Sequence, residues 1–133
     1  ENIMKFNGFL LVIALLLFSC NEVTDNLLDE VIPEPDTLEV GIKNNTNYRF
    51  NRTEIISNNN TYVYQVIEPD AISNFIEMAF IYSEVELKIQ TDDGYFSFSP
   101  SHYLEDTKVT KGLYYFEVNI SNNQTVSITR KIF

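Results

Sequence analysis

The sequence predicts an all-β protein: an antiparallel two-sheet sandwich of about seven or eight short strands over residues 38–133. Three observations carry this expectation. Apolar residues recur at every second position along several runs, the period of a half-buried strand. Between the runs stand clusters of Asn, Asp and Gly, which accept turn backbone angles and bond their own backbone. Aromatic residues, which suit a pleated surface, concentrate in the same region: all eight Tyr and seven of the ten Phe lie in residues 38–133.

Taken in order, Leu38, Val40 and Ile42 alternate and open the domain as a short strand. Tyr48–Ile56 and Tyr62–Ile67 read as the next two strands. Asn44-Asn45-Thr46-Asn47 turns into the first of them, and Ser57-Asn58-Asn59-Asn60 separates the pair. Asp70–Tyr82 carries two patterns. Ile72, Phe75, Ile76, Ala79 and Phe80 fall at helical spacing behind a capping Asp70, whereas Ile76, Met78, Phe80 and Tyr82 share one face of a strand. The strand reading is favoured, because Phe, Ile and Tyr suit strands and every neighbour is one. In Glu84–Gln90 strict alternation puts Val85, Leu87 and Ile89 on one face. Asp92-Asp93-Gly94 then marks a tight hairpin. Lys111-Gly112 turns into Leu113–Ile120, which sets Tyr114, Phe116, Val118 and Ile120 opposite Tyr115, Glu117 and Asn119. After the turn at Ser121-Asn122-Asn123, Val126, Ile128 and Ile132 form the inner face of the last strand.

Composition bounds the function. The chain has 133 residues and a net charge of -10, which argues against nucleic-acid binding, since phosphate contacts need Lys and Arg in excess. A single Cys excludes a disulfide framework and a Cys-based zinc cluster. Four isolated Gly leave no phosphate loop or dinucleotide fingerprint.

The charge divides the chain into three parts. Residues 21–37 hold six acids (Glu22, Asp25, Asp29, Glu30, Glu34, Asp36) and no base, whereas residues 38–133 hold twelve acids and eight bases. Ahead of both, Met4 reads as the start, Lys5 as a positive n-region and Phe9–Phe18 as ten unbroken apolar residues. A membrane-crossing helix needs about 20 such residues, so residues 1–19 read as a cleaved signal peptide. Leu17-Phe18-Ser19-Cys20 resembles the lipobox of bacterial lipoproteins. The small Ser19 gives a peptidase access to the bond before Cys20, whose thiol takes a diacylglyceryl group and whose freed amine is then acylated. Each buried methylene contributes roughly 0.8 kcal/mol, so two or three acyl chains hold where one is marginal.

Residues 20–37 then form a lipidated Cys and an acidic tether. Pro33 and Pro35 favour extended backbone and the like charges repel. As a coil, residues 21–37 span roughly 23 Å root-mean-square. An acidic strip after such a Cys resembles the surface-export signal of Bacteroidetes lipoproteins.

From Gly41 onward the features resemble a family of small Bacteroidetes lipoproteins of unassigned function. The residues that carry the resemblance are Ile42-Lys43-Asn44-Asn45, Ser73-Asn74-Phe75, Tyr82, Pro100, Tyr103, Val109, Gly112, Tyr114 and Phe116. It implies a leader, a short tether and an immunoglobulin-like or prealbumin-like sandwich in the cell envelope, outer membrane included. It implies no catalytic residues.

Chemical motifs are sparse. His102 is the only His, and Ser99, Ser101, Glu105 and Asp106 beside it are loop neighbours rather than converging triad partners. Asp92-Asp93 and Glu105-Asp106 lack the alternating ligands of a calcium loop. No enzyme, metal or cofactor is expected. The aromatics carry more weight: outward Tyr62, Tyr64, Tyr95, Tyr103 and Tyr115 are candidates for stacking on sugar rings or anchoring a protein partner. The expected function is therefore a lipid-anchored interaction or accessory module, with glycan binding beside a polysaccharide-uptake system as the alternative. The expected partners are the membrane, through the anchor, and a protein or glycan.

Overall fold

The computed structural model describes residues 35–133. Cys20, residues 1–19 and most of the tether lie outside them. Eight strands follow: β1 (Leu38–Asn44), β2 (Arg52–Ser57), β3 (Asn60–Tyr64), β4 (Ile76–Met78), β5 (Glu86–Thr91), β6 (Gly94–Phe98), β7 (Gly112–Ile120) and β8 (Val126–Ile132). They make two four-stranded sheets, ordered β4-β1-β7-β8 and β3-β2-β5-β6, so the protein is all-β and consistent with a β-sandwich. Among the described residues the helical content is one 3₁₀ turn, Glu105–Thr107.

Alternation builds the core. Leu38, Val40 and Ile42 of β1, Ile55 of β2, Leu87 and Ile89 of β5, and Phe116 and Val118 of β7 are all buried. Each contributes about 1.5–3 kcal/mol on burial, offset by lost chain entropy. The two hairpins of the second sheet follow their turn chemistry. Asn58 and Asn59 both take positive φ between paired Ser57 and Asn60, the requirement of a type I′ turn. Gly94 sits at φ 140° where β6 begins, a backbone angle that suits glycine.

The sheets are not wholly antiparallel. β1 and β7 run parallel over their paired length, Leu38 opposite Gly112 through Asn44 opposite Val118. Every other strand pair is antiparallel. β1 leaves for the second sheet and β7 arrives from it, a long-range connection that local alternation does not encode.

Tyr48–Ile56 is strand only from Arg52, because the stretch before it is pinned by side chains. Asn44 is fully buried. Its amide donates to the carbonyls of Tyr48 (2.6 Å) and Ile67 (3.1 Å), and its Oδ1 accepts from the Thr46 N–H (3.0 Å) and hydroxyl (2.6 Å). Asn44, expected as part of a turn cluster, is the polar centre of one end of the sandwich.

Asp70–Tyr82 forms no helix, and only Ile76–Met78 is strand. Before β4, the Ile42 N–H donates to the Ser73 hydroxyl (2.8 Å) and the Ser73 N–H to the Ile42 carbonyl (2.8 Å). After it, Ile81 exchanges both backbone bonds with Val109. The segment follows β1 through Met78 and then changes partner to Val109, which breaks the face expected for Ile76 through Tyr82: Met78 and Ile81 are buried, and Phe80 and Tyr82 stay half-exposed. Phe75 instead covers Gly41, where a Cβ would lie 3.0 Å from its ring. Ile132 also departs from expectation. It pairs with Tyr114 at the end of an edge strand but is 77% exposed.

Candidate functional site

The five candidate tyrosines do not share a face. Tyr64 is a core residue: its side chain is buried and its hydroxyl donates to the Val40 carbonyl at 2.6 Å. Burial first, and the nearby Tyr62 second, push its pKa well above the usual tyrosine value. Tyr64 is therefore corrected from ligand contact to structural pin. Tyr62 packs half-buried against the core from the same inward face of β3. Both candidates on β3 point inward because Tyr62 pairs with Ile55 and Tyr64 with Thr53, two inward residues of β2. Tyr115 lies on the outward face of the first sheet, edge-on to Phe133 at 6.3 Å. Tyr95 and Tyr103 remain, and they sit at opposite ends of the second sheet.

Tyr95 is on the outward face of β6 and is 82% exposed. The register builds a surface around it: Arg52 pairs with Gln90 and Gln90 with Tyr95, while Glu54 pairs with Lys88 and Lys88 with Ser97. These side chains line a shallow groove of about 280 Å³. Arg52 is held by Glu54 at 2.9 Å. Among the described residues Lys88 has no ion-pair partner and no ring stacks on Tyr95. The groove thus combines a free ring face, an amide, a hydroxyl and two cations against one carboxylate. The excess of cations is local, since the domain as a whole carries more acids than bases.

Tyr103 lies in the loop before the 3₁₀ turn and stacks, tilted, on Tyr82 at 5.1 Å; Tyr82 meets Phe80 edge-on at 5.7 Å. With Asn58, Asn59 and Glu86 these rings line a cleft of about 360 Å³. Lys108 stands 4.3 Å from the centre of the Phe80 ring, and the Tyr82 hydroxyl donates to Glu105 at 3.2 Å. Partial burial and that bond to Glu105 raise the Tyr82 pKa. Partial burial, Glu86 and Tyr82 raise that of Tyr103. Both hydroxyls therefore stay neutral donors throughout the physiological range. Phe80 and Tyr82 were missed as partners of Tyr103. Their alternation within one segment was the available signal, but Tyr103 reaches them only through the fold.

His102 is exposed and contacts Ser101 at 3.1 Å, while Glu105 is engaged by Tyr82 and lies 3.7 Å from Lys108. Asp92 accepts from the Asn51 amide at 2.7 Å as part of its turn. Among the described residues no three His, Cys, Asp or Glu side chains converge as metal ligands, and no helix is long and apolar enough to cross a membrane. The two candidate surfaces present ring faces, amides and charged side chains. No known protein family, curated protein or solved structure matches the chain.

Proposed function

We propose that this chain is a lipid-anchored, non-enzymatic interaction module of the bacterial cell envelope, held in the outer membrane through Cys20. The lipobox-like Leu17–Cys20 supports the anchor, since the single Cys of the chain falls at the one position where lipidation would use it. The interaction reading is carried by one observation: Tyr95, a large ring left 82% exposed on a rigid sheet. Exposed rings of this kind anchor partners because they bring much contact area at low entropic cost. The strand order β4-β1-β7-β8 over β3-β2-β5-β6 differs from the immunoglobulin arrangement of strands A, B, E and D over C, F and G. It favours the prealbumin-like side of the family resemblance.

The glycan reading draws on the same groove. The face of a sugar ring stacks on Tyr95 while Gln90, Arg52 and Lys88 donate to its hydroxyls. The two cations favour a sugar that carries a carboxylate. The test is intrinsic tyrosine fluorescence of the full chain titrated with neutral and uronic-acid oligosaccharides. A saturable shift, stronger for the acidic sugars and abolished by Tyr95→Ala, is expected. No shift with any oligosaccharide would remove the glycan reading and leave a protein partner for the groove.

A further inference from the structure

The tether joins the domain at one particular end. The Thr37 carbonyl accepts the Gly112 N–H at 3.0 Å, and Leu38 pairs with both Gly112 and Met78. The start of β1 is thereby fixed beside the start of β7 and the end of β4. The same end holds the aromatic cleft. Ile81 pairs with Val109, the Ser83 N–H donates to the Thr107 hydroxyl at 3.0 Å, and Arg130 near the end of β8 donates to the Thr107 carbonyl at 2.6 Å. These bonds bring the loop carrying Tyr103 and Leu104 to where the chain enters. Both side chains are about half exposed, 49% and 48%.

From this placement we infer that the Tyr103–Leu104 end of the sandwich rests on the lipid surface in which Cys20 is anchored, as a second, non-covalent membrane contact. The inference rests on the lipidation of Cys20 proposed above. If residues 21–37 run as the coil their sequence predicts, a span of roughly 23 Å keeps the end that carries the tether near the bilayer. A site held on a short linker experiences an effective concentration in the millimolar range, so even a weak affinity of this end for lipid is enough to dock it. The side chains suit the water–hydrocarbon boundary. Tyr82 and Tyr103 each offer a ring with a hydroxyl that stays protonated, the amphipathic form enriched at membrane interfaces. Leu104 adds a purely apolar contact. Charge narrows the lipid class. Glu105 and Asp106 follow Leu104 directly in the chain, and Glu86 shares the cleft with Tyr103. Lys108, 3.7 Å from Glu105, and Arg130, on the Thr107 carbonyl, stand among these acids, so this end has no excess of cations to draw anionic headgroups and is matched to zwitterionic lipid.

The test uses the full lipidated chain in phosphatidylcholine vesicles containing brominated acyl chains. Leu104→Cys and Asn122→Cys are labelled in separate samples with a thiol-reactive fluorophore. The Cys20 thiol is blocked by its lipid, and Asn122 lies in the turn between β7 and β8 at the far end. The expected result is a several-fold loss of emission at position 104, little at 122, and no greater loss at 104 when phosphatidylglycerol is added. Equal, weak quenching at both positions while the protein still floats with the vesicles would overturn the resting end and leave the anchor standing. Failure of the wild-type chain to float would remove the anchor, and the inference with it.

Discussion

The two ends of this sandwich spend their side chains differently. At the end of β1, a polar residue is buried and exhausted: Asn44 makes four side-chain hydrogen bonds that tie three segments together. At the start of β1, large aromatic side chains remain partly in water, stacked on each other above a cleft. The first arrangement stabilises, and Asn44 itself has no donor or acceptor left to offer. The second leaves much of its contact area unspent, which is what a binding surface requires. Asn turns and Tyr faces look alike as surface features in a sequence; the fold decides which becomes core.

Substitutions at the two ends should separate them. The largest effect is expected for Asn44→Ala, which removes four hydrogen bonds of a buried side chain at once and leaves the Thr46 N–H without an acceptor, whereas the Ile67 carbonyl keeps the Phe50 N–H and the Tyr48 carbonyl keeps the Thr46 hydroxyl. A loss of about 2–4 kcal/mol is expected, read as a large drop in the denaturant midpoint. Tyr103→Ala, at the other end, should cost only about 1 kcal/mol, the worth of an aromatic pair. Comparable losses at the two positions would break the contrast.

Tyr64→Phe comes next. It removes the bond to the Val40 carbonyl in the core and should cost about 1–2 kcal/mol. It also carries a pH signature. Burial raises the Tyr64 pKa in the folded state. Its contribution is therefore fully present below pH 10, the ordinary value, and is lost as pH rises through the folded value. Wild-type stability should fall above pH 10, and Tyr64→Phe should flatten that fall. An unchanged alkaline slope in the variant would place the titrating group elsewhere.

The smallest effect has the opposite sign. Thr53 faces the core, and its hydroxyl is the one buried side-chain oxygen or nitrogen without a partner among the described residues. Thr53→Val keeps the shape and removes the unpaired group. A gain of about 0.5–1 kcal/mol is expected, read from the same denaturation curves.

Much of the fold was legible from local pattern. Val85, Leu87 and Ile89, and separately Phe116 and Val118, announce inward faces by alternation, and Asn58-Asn59 announces its hairpin. What local pattern could not show was partnership at a distance. The parallel pairing of β1 with β7, the truncation of β4 by Ser73 and Ile81, and the burial of Asn44 all depend on residues far along the chain. The candidate site suffered most. Tyr62 and Tyr64 alternate as an outward strand would, and only pairing with Ile55 and Thr53 of β2 shows that their side is the inner one. Tyr95 faces outward because the β5–β6 register sets Phe96 opposite the buried Ile89 and Tyr95 opposite Gln90.

Anchoring depends on the state of Cys20, and mass spectrometry of the protein purified from its native host measures that state directly. The expected product is a chain that begins at Cys20 and carries the added mass of a diacylglyceryl group, with or without a further acyl group on its amine. A chain retaining residues before Cys20, or one with a free thiol at that position, would contradict it.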